Sequence, residues 1–179
     1  MQKIDEFILK DGRKVEIVLP SMAGLQAITD FANKLSQEDT FLSFAGETYS
    51  LEFEKNWLKH VLIEIKHRKN FIIWAVLENQ IIGNCDIKIG RTRESHIGSI
   101  GLMVDKDFRR QGLGQYLIKK ILVEGKKMGL KIAKLDVFSD NIPARSLYIK
   151  TGLVEYGKLP NGMYRKGKYS DKIYMYKNL

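Results

Sequence analysis

The sequence contains few residues that could stabilise it through covalent bonds or metal ions. Cys85 is the only cysteine among 179 residues, so neither an internal disulfide nor a cysteine-based metal cluster can form. It lies in the apolar segment 81–87, which predicts a strand, and has no basic neighbour in sequence to activate a thiolate. We therefore expect Cys85 to be a small buried side chain. His60 and His67 lack a third ligand nearby, so no metal site is expected.

Long apolar segments are also missing. The longest uninterrupted apolar run, 71–77, is far shorter than the roughly 20 residues that span a bilayer as a helix. The N-terminal residues 1–7 include acidic side chains, whereas a signal or transit peptide would be basic and then apolar. We therefore expect a cytoplasmic protein without a membrane partner.

Acidic residues are in the minority. Lysine and arginine number 30 against 21 aspartates and glutamates, which gives a net charge of +9. Such a balance favours anionic partners, whether nucleic acid, phosphorylated cofactors or acidic substrates. The basic residues are scattered, however, and neither a nucleic-acid-binding motif nor an aromatic platform accompanies them. A nucleic-acid partner is therefore disfavoured, and charge alone names no other.

The spacing of apolar residues predicts one α/β domain over residues 1–179. The predicted order is strand, two helices, three strands, helix, strand, helix and two strands. These elements lie at 14–19, 25–35 (with Ser21 as N-cap), 50–67, 71–77, 80–89, 96–104, 113–128 (ended by Gly129), 132–138, 143–150, 153–158 and 172–176. Hairpins in the first half and a strand–helix–strand unit in the second imply a mixed central β-sheet flanked by helices.

A glycine-containing loop lies between the strand that ends at Val104 and the helix that begins after Gly112. A helix N-terminus offers unpaired N–H groups and partial positive charge, so it binds anions. Gly112 and Gly114 leave room for a phosphate to reach those amides, and Arg109 and Arg110 add positive charge. The loop matches neither a Walker loop nor the dinucleotide fingerprint. It predicts a pyrophosphate site.

Two segments resemble signatures of the GNAT superfamily of N-acetyltransferases. Residues 104–114, which read VDKDFRRQGLG, resemble motif A, whose core is Arg/Gln-x-x-Gly-x-Gly/Ala. Residues 141–148, which read NIPARSLY, resemble the second signature, Asn-x-x-Ala-x-x-x-Tyr, and a glycine follows at Gly152. The resemblance covers residues 70–179 well. It implies the GNAT acyl-CoA N-acyltransferase fold and acetyl-CoA as cosubstrate, with no metal.

The resemblance also implies roles for individual residues. Three backbone positions would pair with the pantetheine arm like an extra strand, namely Leu102, Met103 and Val104. The amides that would hold the pyrophosphate are those of Arg109, Arg110, Gln111, Gly112, Leu113 and Gly114. Asn141 would hydrogen-bond the cofactor. Tyr148 would lie near its sulfur and, as a neutral phenol, would donate a proton to the departing thiolate.

The base that would deprotonate the amine is less evident. Many relatives place a glutamate on the strand predicted at 96–104, but this chain has no carboxylate there. His96, at the start of that strand, could take the proton directly or through water, because imidazole titrates near neutral pH. A histidine at a strand end is also commonly a polar surface residue. Catalysis could instead depend on positioning the two reactants, without a dedicated base.

The expected acceptor is a primary amine, and several acceptor classes stay open. One is the α-amine of a protein N-terminus or an amino acid, and another is a small amine such as a polyamine or aminoglycoside. A catalytically weak CoA-binding module is a third alternative, and a homodimer is left open. Two charged loops are expected to border the acceptor: 36–47, with Glu38, Asp39 and Glu47, and 161–170, with Arg165, Lys166 and Lys168.

Overall fold

The computed structural model describes residues 1–38, 41–42 and 46–179. They form an eight-stranded sheet with helices on both faces, which confirms the predicted mixed α/β architecture. The elements are β1 Gln2–Ile8, β2 Lys14–Leu19, α1 Leu25–Gln37, α2 Leu51–Lys66, β3 Asn70–Leu77, β4 Gln80–Ile89, β5 Ile97–Val104, α3 Leu113–Lys127, β6 Ile132–Phe138, α4 Ile142–Lys150, β7 Val154–Arg165 and β8 Lys168–Asn178.

The strand order in the sheet is β1-β2-β3-β4-β5-β6-β8-β7. Neighbouring strands run antiparallel, except that β5 and β6 are parallel. Parallel neighbours need a crossover connection, and α3 supplies it. The loop between β5 and α3 therefore emerges at the carboxyl ends of the two parallel strands, where open α/β sheets commonly bind ligands.

Two apolar cores hold the helices to the sheet. The first lies between the sheet and helices α3 and α4, and it includes Cys85, Ile87 and Leu117. The second lies under α1 and α2 and includes Trp74 and Leu58. Cys85 is fully buried, and this burial raises the pKa of its thiol. It is thus the small core side chain that the sequence predicts.

Several local predictions are wrong. The strand β1 was not expected, because its polar residues give the weak pattern of an edge strand with little buried surface. Ser21 does not cap α1: a short 3₁₀ turn at Met22–Gly24 intervenes, and Gly24 is the N-cap of the helix. Residues 161–170 are not an irregular loop but the end of the β7–β8 hairpin, whose turn is formed by Lys166 and Gly167.

Candidate functional site

The sheet opens between β5 and β6. These strands pair over only three residue pairs, the last of which is Ser99 with Lys134. Beyond it β5 continues along β4 to Val104, while β6 continues along β8 to Phe138. Each strand stays with its other neighbour, so the two diverge, and no described strand pairs with the inner edge of β5 after Ser99. Residues 102–104 lie on this edge, where free backbone groups can pair with an extended ligand.

The N-terminus of α3 adjoins this opening and is uncapped. Gly112, the N-cap, adopts a φ of 87° and makes no side-chain cap, and Arg110 also has a positive φ of 62°. The first amide of α3 with an intrahelical acceptor is that of Tyr116, 3.1 Å from the Gly112 oxygen. The amides of residues 110–115 donate to no acceptor in the described parts of the chain. Consecutive free N–H groups at a helix start form an anion-binding concavity.

Packing also requires both glycines of this loop. A Cβ at Gly114 would lie 3.0 Å from Cδ1 of Leu147, so the glycine lets α3 approach α4. A Cβ at Gly112 would lie 3.3 Å from Cζ of Phe7. The positive φ of Gly112 further disfavours any residue with a side chain. The loop therefore has the backbone that the motif implies.

Arg109 is engaged within the chain. Its Nε donates to the Val104 oxygen at 2.9 Å, its Nη2 lies 2.6 Å from Oε2 of Glu38, and its amide donates to the Lys106 oxygen at 3.3 Å. The groups still expected to bind the pyrophosphate are therefore the amides that follow Arg109 and the exposed side chain of Arg110. Glu38, expected to border the acceptor, instead holds this loop.

A second ion pair fixes the loop to α1. Nζ of Lys34 lies 2.6 Å from Oδ2 of Asp105 and 2.9 Å from Oδ2 of Asp107. Asp105 is 4% exposed, so its pairing with Lys34 is needed to offset the loss of hydration. No sequence pattern predicts these contacts, because Lys34 and Asp105 are far apart along the chain.

Tyr148 lies in the core between α4 and the sheet. It is 8% exposed, and burial raises its pKa, with Cys85 of β4 and Asp136 of β6 adding to the rise. The phenol therefore lies near β4 and β6. Its hydroxyl donates to no residue that the structure describes. A neutral phenol with an unused proton in this position can act as an acid.

Asn141 has a structural role at the start of α4. Its Oδ1 accepts a hydrogen bond from the amide of Ala144 at 3.3 Å, which caps the helix. It follows the end of β6 closely, so it stands near the opening, and its Nδ2 has no acceptor in the described residues. The cofactor contact that the resemblance implies could therefore use this amide nitrogen.

His96 stands away from the opening. It is exposed and precedes β5, three residues before Ser99, where β5 and β6 are still paired. Its backbone oxygen accepts from the amides of Lys131 and Ile132 at 2.8 and 3.2 Å. This position is on the closed side of the strand pair, so the geometry gives no support to His96 as the base.

Asp86 lies beside the opening, and no sequence pattern had indicated it. It lies on β4 directly opposite Gly101 of β5, two residues beyond Ser99, where the sheet opens. A Cβ at Gly101 would lie 2.5 Å from Oδ1 of Asp86, so the carboxylate occupies the space over this glycine. Only the register of β4 and β5 shows the pairing. An aspartate opposite a glycine carries no signal in the sequence itself.

The environment of Asp86 disfavours its charge. Burial raises the pKa of this carboxyl to about 6, opposed by the amide of Asn84 and the charge of Lys88, while Glu64 adds to the rise. Nδ2 of Asn84 lies 3.5 Å from Oδ1 of Asp86. Lys88 does not pair with Asp86, because its Nζ lies 2.7 Å from Oε1 of Glu64. Asp86 therefore has no ion-pair partner in the described residues.

We expect Asp86→Asn to stabilise the fold at neutral pH. The pKa of Asp86 is raised from 3.8 to about 6 on folding, so the native state loses stability as pH rises through this window. The uncharged, isosteric amide avoids that loss, by about 3 kcal/mol at about pH 7.5. Urea unfolding of both proteins measures it. The gain should shrink as pH falls from 6 towards 3.8, and a pH-independent difference would contradict the burial argument.

The two charged segments expected at the acceptor site meet at the end of β6. The Phe41 ring lies 5.5 Å from that of Phe138, and the guanidinium of Arg165 lies 4.1 Å from the Phe41 centroid. Nη2 of Arg165 is also 3.8 Å from Oδ2 of Asp140. Asp39 lies outside the described residues. A cavity of about 330 Å³ here is lined by Asp140, Arg165, Lys166, Lys168, Tyr169 and Ser170.

The described residues offer neither a membrane-spanning helix nor a metal site. Within residues 1–38, 41–42 and 46–179, no helix has the length and apolar character to cross a bilayer. The same residues contain no group of three histidine, cysteine, aspartate or glutamate side chains placed to hold a metal ion. Glu47, which was expected to border the acceptor, accepts a hydrogen bond from the hydroxyl of Tyr49 just before α2.

Known proteins share both the sequence pattern and the fold. Residues 32–153 match the Acetyltransferase (GNAT) family. An L-amino acid N-acetyltransferase of Escherichia coli is 29% identical over 104 residues, which cover 56% of this chain and 64% of that enzyme, just under two thirds of its length. The crystal structure of a GNAT-family acetyltransferase from Streptococcus pneumoniae has a TM-score of 0.83 and 26% identity, with 92% of this chain and 99% of that one covered.

A further structure extends the likeness in fold. The ribosomal-protein-alanine N-acetyltransferase of Brucella melitensis has a TM-score of 0.79 at 21% identity, with 91% of this chain and 99% of that one covered. The family match spans the glycine loop at Gly112, the opening of the sheet and Tyr148. Sequence match, fold and site geometry agree, and the chain belongs to the GNAT family of acetyltransferases.

Proposed function

We propose that this acetyltransferase transfers the acetyl group of acetyl-CoA to the α-amine of a peptide N-terminus or an amino acid. The observation that carries the proposal is the opening between β5 and β6 beside the uncapped start of α3. A free strand edge suits the amides of a pantetheine arm, and the free N–H groups beyond Arg109 suit a pyrophosphate. The residues present therefore fit acetyl-CoA, which supplies the acetyl group as a thioester.

Different residues around the opening would have different roles in the reaction. The inner edge of β5 at 102–104 would orient the donor, and the α3 N-terminus would neutralise its phosphates. Tyr148, which burial keeps protonated, would donate its hydroxyl proton to the leaving sulfur. The cores on both faces of the sheet hold these groups in place, and such positioning lowers the entropic part of the barrier.

Charges at the approach to the site favour an acceptor with both a cationic and an anionic group. Carboxylates stand on the α2 side, where Glu47 is exposed and Glu54 is 6% exposed. Burial raises the pKa of Glu54. The cavity at the β7–β8 turn is lined by Lys168 and Arg165. This cavity lies past Phe138, the last residue of β6. Phe138 is four residues, and hence roughly 13 Å, beyond the last β5–β6 pair.

That separation bears on the acceptor. For an amine held near the last β5–β6 pair, the α-carboxylate of a free amino acid would not reach the Lys168 cavity, whereas an acidic group further along a peptide would. The Escherichia coli relative is by name an L-amino acid N-acetyltransferase, which supports acceptors with an α-amine. A polycation would instead meet Lys168 and Arg165 with like charge.

We expect peptides with a free α-amine to be acetylated faster than spermidine or an aminoglycoside. Near pH 7 about a tenth of an α-amine is neutral, but under one in a thousand of a lysine-type amine. Thiol release from acetyl-CoA, measured across a panel of amines, tests the order. Peptides with and without an acidic second or third residue form the matched pair, and the acidic one should have the lower KM. Clear preference for the polycations would contradict the proposal and favour a small-amine enzyme.

A further inference from the structure

We propose that Asp86 and Asn84 of β4 form the site that receives the acceptor amine, with Asp86 as the general base. This inference rests on the proposed acetyl transfer to an amine. It assigns the proton acceptor to β4, where no sequence motif indicated a base, and it replaces the expectation that His96 performs this step.

The first argument is position. Asp86 is paired with Gly101, and its carboxylate fills the volume that a side chain at Gly101 would need. The strand β5 carries no carboxylate of its own, so β4 supplies one at the same place from the neighbouring strand. Because β5 parts from β6 only two residues earlier, at Ser99, the carboxylate lies beside the opening.

The second argument is the face of the sheet. Successive residues of a strand point to opposite faces, and Cys85 faces the core under α3 and α4 that also contains Tyr148. Asp86 therefore faces the α1 and α2 side, where its charge interacts with Glu64 of α2. The acid and the base thus lie on opposite faces of the sheet, with the opening between them. This arrangement is compatible with attack on the thioester from one side and protonation of its sulfur from the other.

The third argument is the set of charged groups that face Asp86. Lys88, on the same strand, is paired with Glu64 of α2, and His60 of α2 lies 3.3 Å from the same carboxylate. The strands β3 and β5 place the uncharged Ile72 and Gly101 beside Asp86. No cation neutralises Asp86 within the described residues. A carboxylate whose pKa is raised to about 6 accepts protons well near neutral pH.

Asn84 adds a second acceptor. It is 3% exposed, and no described group donates to its Oδ1. A buried carbonyl without a donor is unfavourable, so its retention beside Asp86 suits a ligand that brings N–H groups. An ammonium group carries three N–H bonds. Asp86 and the Oδ1 of Asn84 could each receive one of them.

The acetyl transfer balances in atoms and charge without any further reactant. Asp86 takes one proton from the acceptor ammonium, and the lone pair so freed forms the N–C bond to the acetyl carbon while the C–S bond breaks. The thiolate takes a proton from Tyr148, which regains one from the new amide nitrogen. Asp86 then releases its proton to water. For each acetyl group transferred, the acceptor ammonium gives up two protons, of which one ends on the thiol and the other is released to water.

The variant Asp86→Asn tests the assignment. At about pH 7.5 we expect kcat to fall on the order of 10²-fold, the range typical of general-base loss, with acetyl-CoA affinity unchanged by calorimetric titration. The acid limb of the kcat/KM profile should disappear. The deficit should shrink above about pH 9, where an α-amine is already neutral. Infrared difference spectra of the wild type between about pH 5 and pH 7.5 should show a carboxyl band that the variant lacks.

Controls separate the outcomes. Asp11→Asn changes an exposed aspartate in the β1–β2 turn and should behave as the wild type. An acid limb that survives in Asp86→Asn but moves in His96→Ala would overturn the proposal in favour of His96. Unchanged kcat in a folded Asp86→Asn would overturn it as well. Failure of the proposed function itself would look different, because the wild type would then acetylate no amine in the panel.

Discussion

Gly112→Asp should abolish measurable acetyl-CoA binding. The new carboxylate would stand at the N-cap of α3, where the free amides of residues 110–115 would otherwise meet the pyrophosphate. Two like charges about 4 Å apart repel by about 4 kcal/mol at the effective dielectric of a protein surface. That corresponds to a loss of affinity of about 10³-fold. Calorimetric titration of the folded variant with acetyl-CoA measures it.

The control for this variant must reproduce the backbone strain. Gly129, at the other end of α3, has the same φ of 87° and open space around a Cβ. Gly129→Asp therefore carries the strain and the charge away from the loop, and it should bind acetyl-CoA as the wild type does. Gly112→Ala adds bulk near Phe7 without charge and should lose less affinity than Gly112→Asp. Equal affinity of the folded Gly112→Asp protein and the wild type would place the phosphate site elsewhere.

Tyr148→Phe should lower turnover on the order of 10²-fold with acetyl-CoA affinity little changed, because an acid acts in the transition state and not in binding. The change removes only a hydroxyl that has no acceptor among the described residues, so the packing of the buried ring persists. The melting temperature should therefore be little changed, because the lost hydroxyl makes no hydrogen bond within the described residues. Steady-state thiol release and thermal unfolding measure the two effects.

Tyr116→Phe is the matched control for Tyr148. Its hydroxyl donates to Oδ2 of Asp5 at 2.7 Å, so its removal loses a hydrogen bond on the β1 side of α3. This variant should be somewhat less stable but should turn over normally. Equal turnover of Tyr148→Phe and the wild type would leave Tyr148 with a packing role alone.

Local signals in the sequence were sufficient for most elements. The bounds of β4 and β6 are as predicted, because alternating or continuous apolar residues end at clear turns. Gly129 ends α3 with a positive φ, as expected of a helix C-terminus. The strand β1 and the full length of the β7–β8 hairpin were missed. Their polar, exposed residues satisfy the sheet mainly through backbone pairing, which leaves little pattern in the side chains.

Some features of the candidate site likewise depend on residues close together in the sequence, and others on residues far apart. The glycine loop and the segment that ends in Tyr148 were evident from the sequence, because each is a contiguous run whose backbone geometry depends on its own residues. The sequence did not indicate that Arg109 pairs with Glu38 or that Lys34 pairs with Asp105. These contacts join residues about 70 positions apart, and only the packing of α1 against the loop brings them together.

The sequence by itself determined the family and the acetyl donor, and it predicted the loop proposed to bind the pyrophosphate, because local backbone conformation and short motifs specify them. Only the tertiary structure decided where β5 leaves β6, since that depends on each strand keeping its other neighbour. It alone also placed Asp86 over Gly101. Strand register is set by the whole sheet, and a shift of one residue would turn Asp86 to the opposite face. The residue proposed as the base is therefore visible only once the strands are paired.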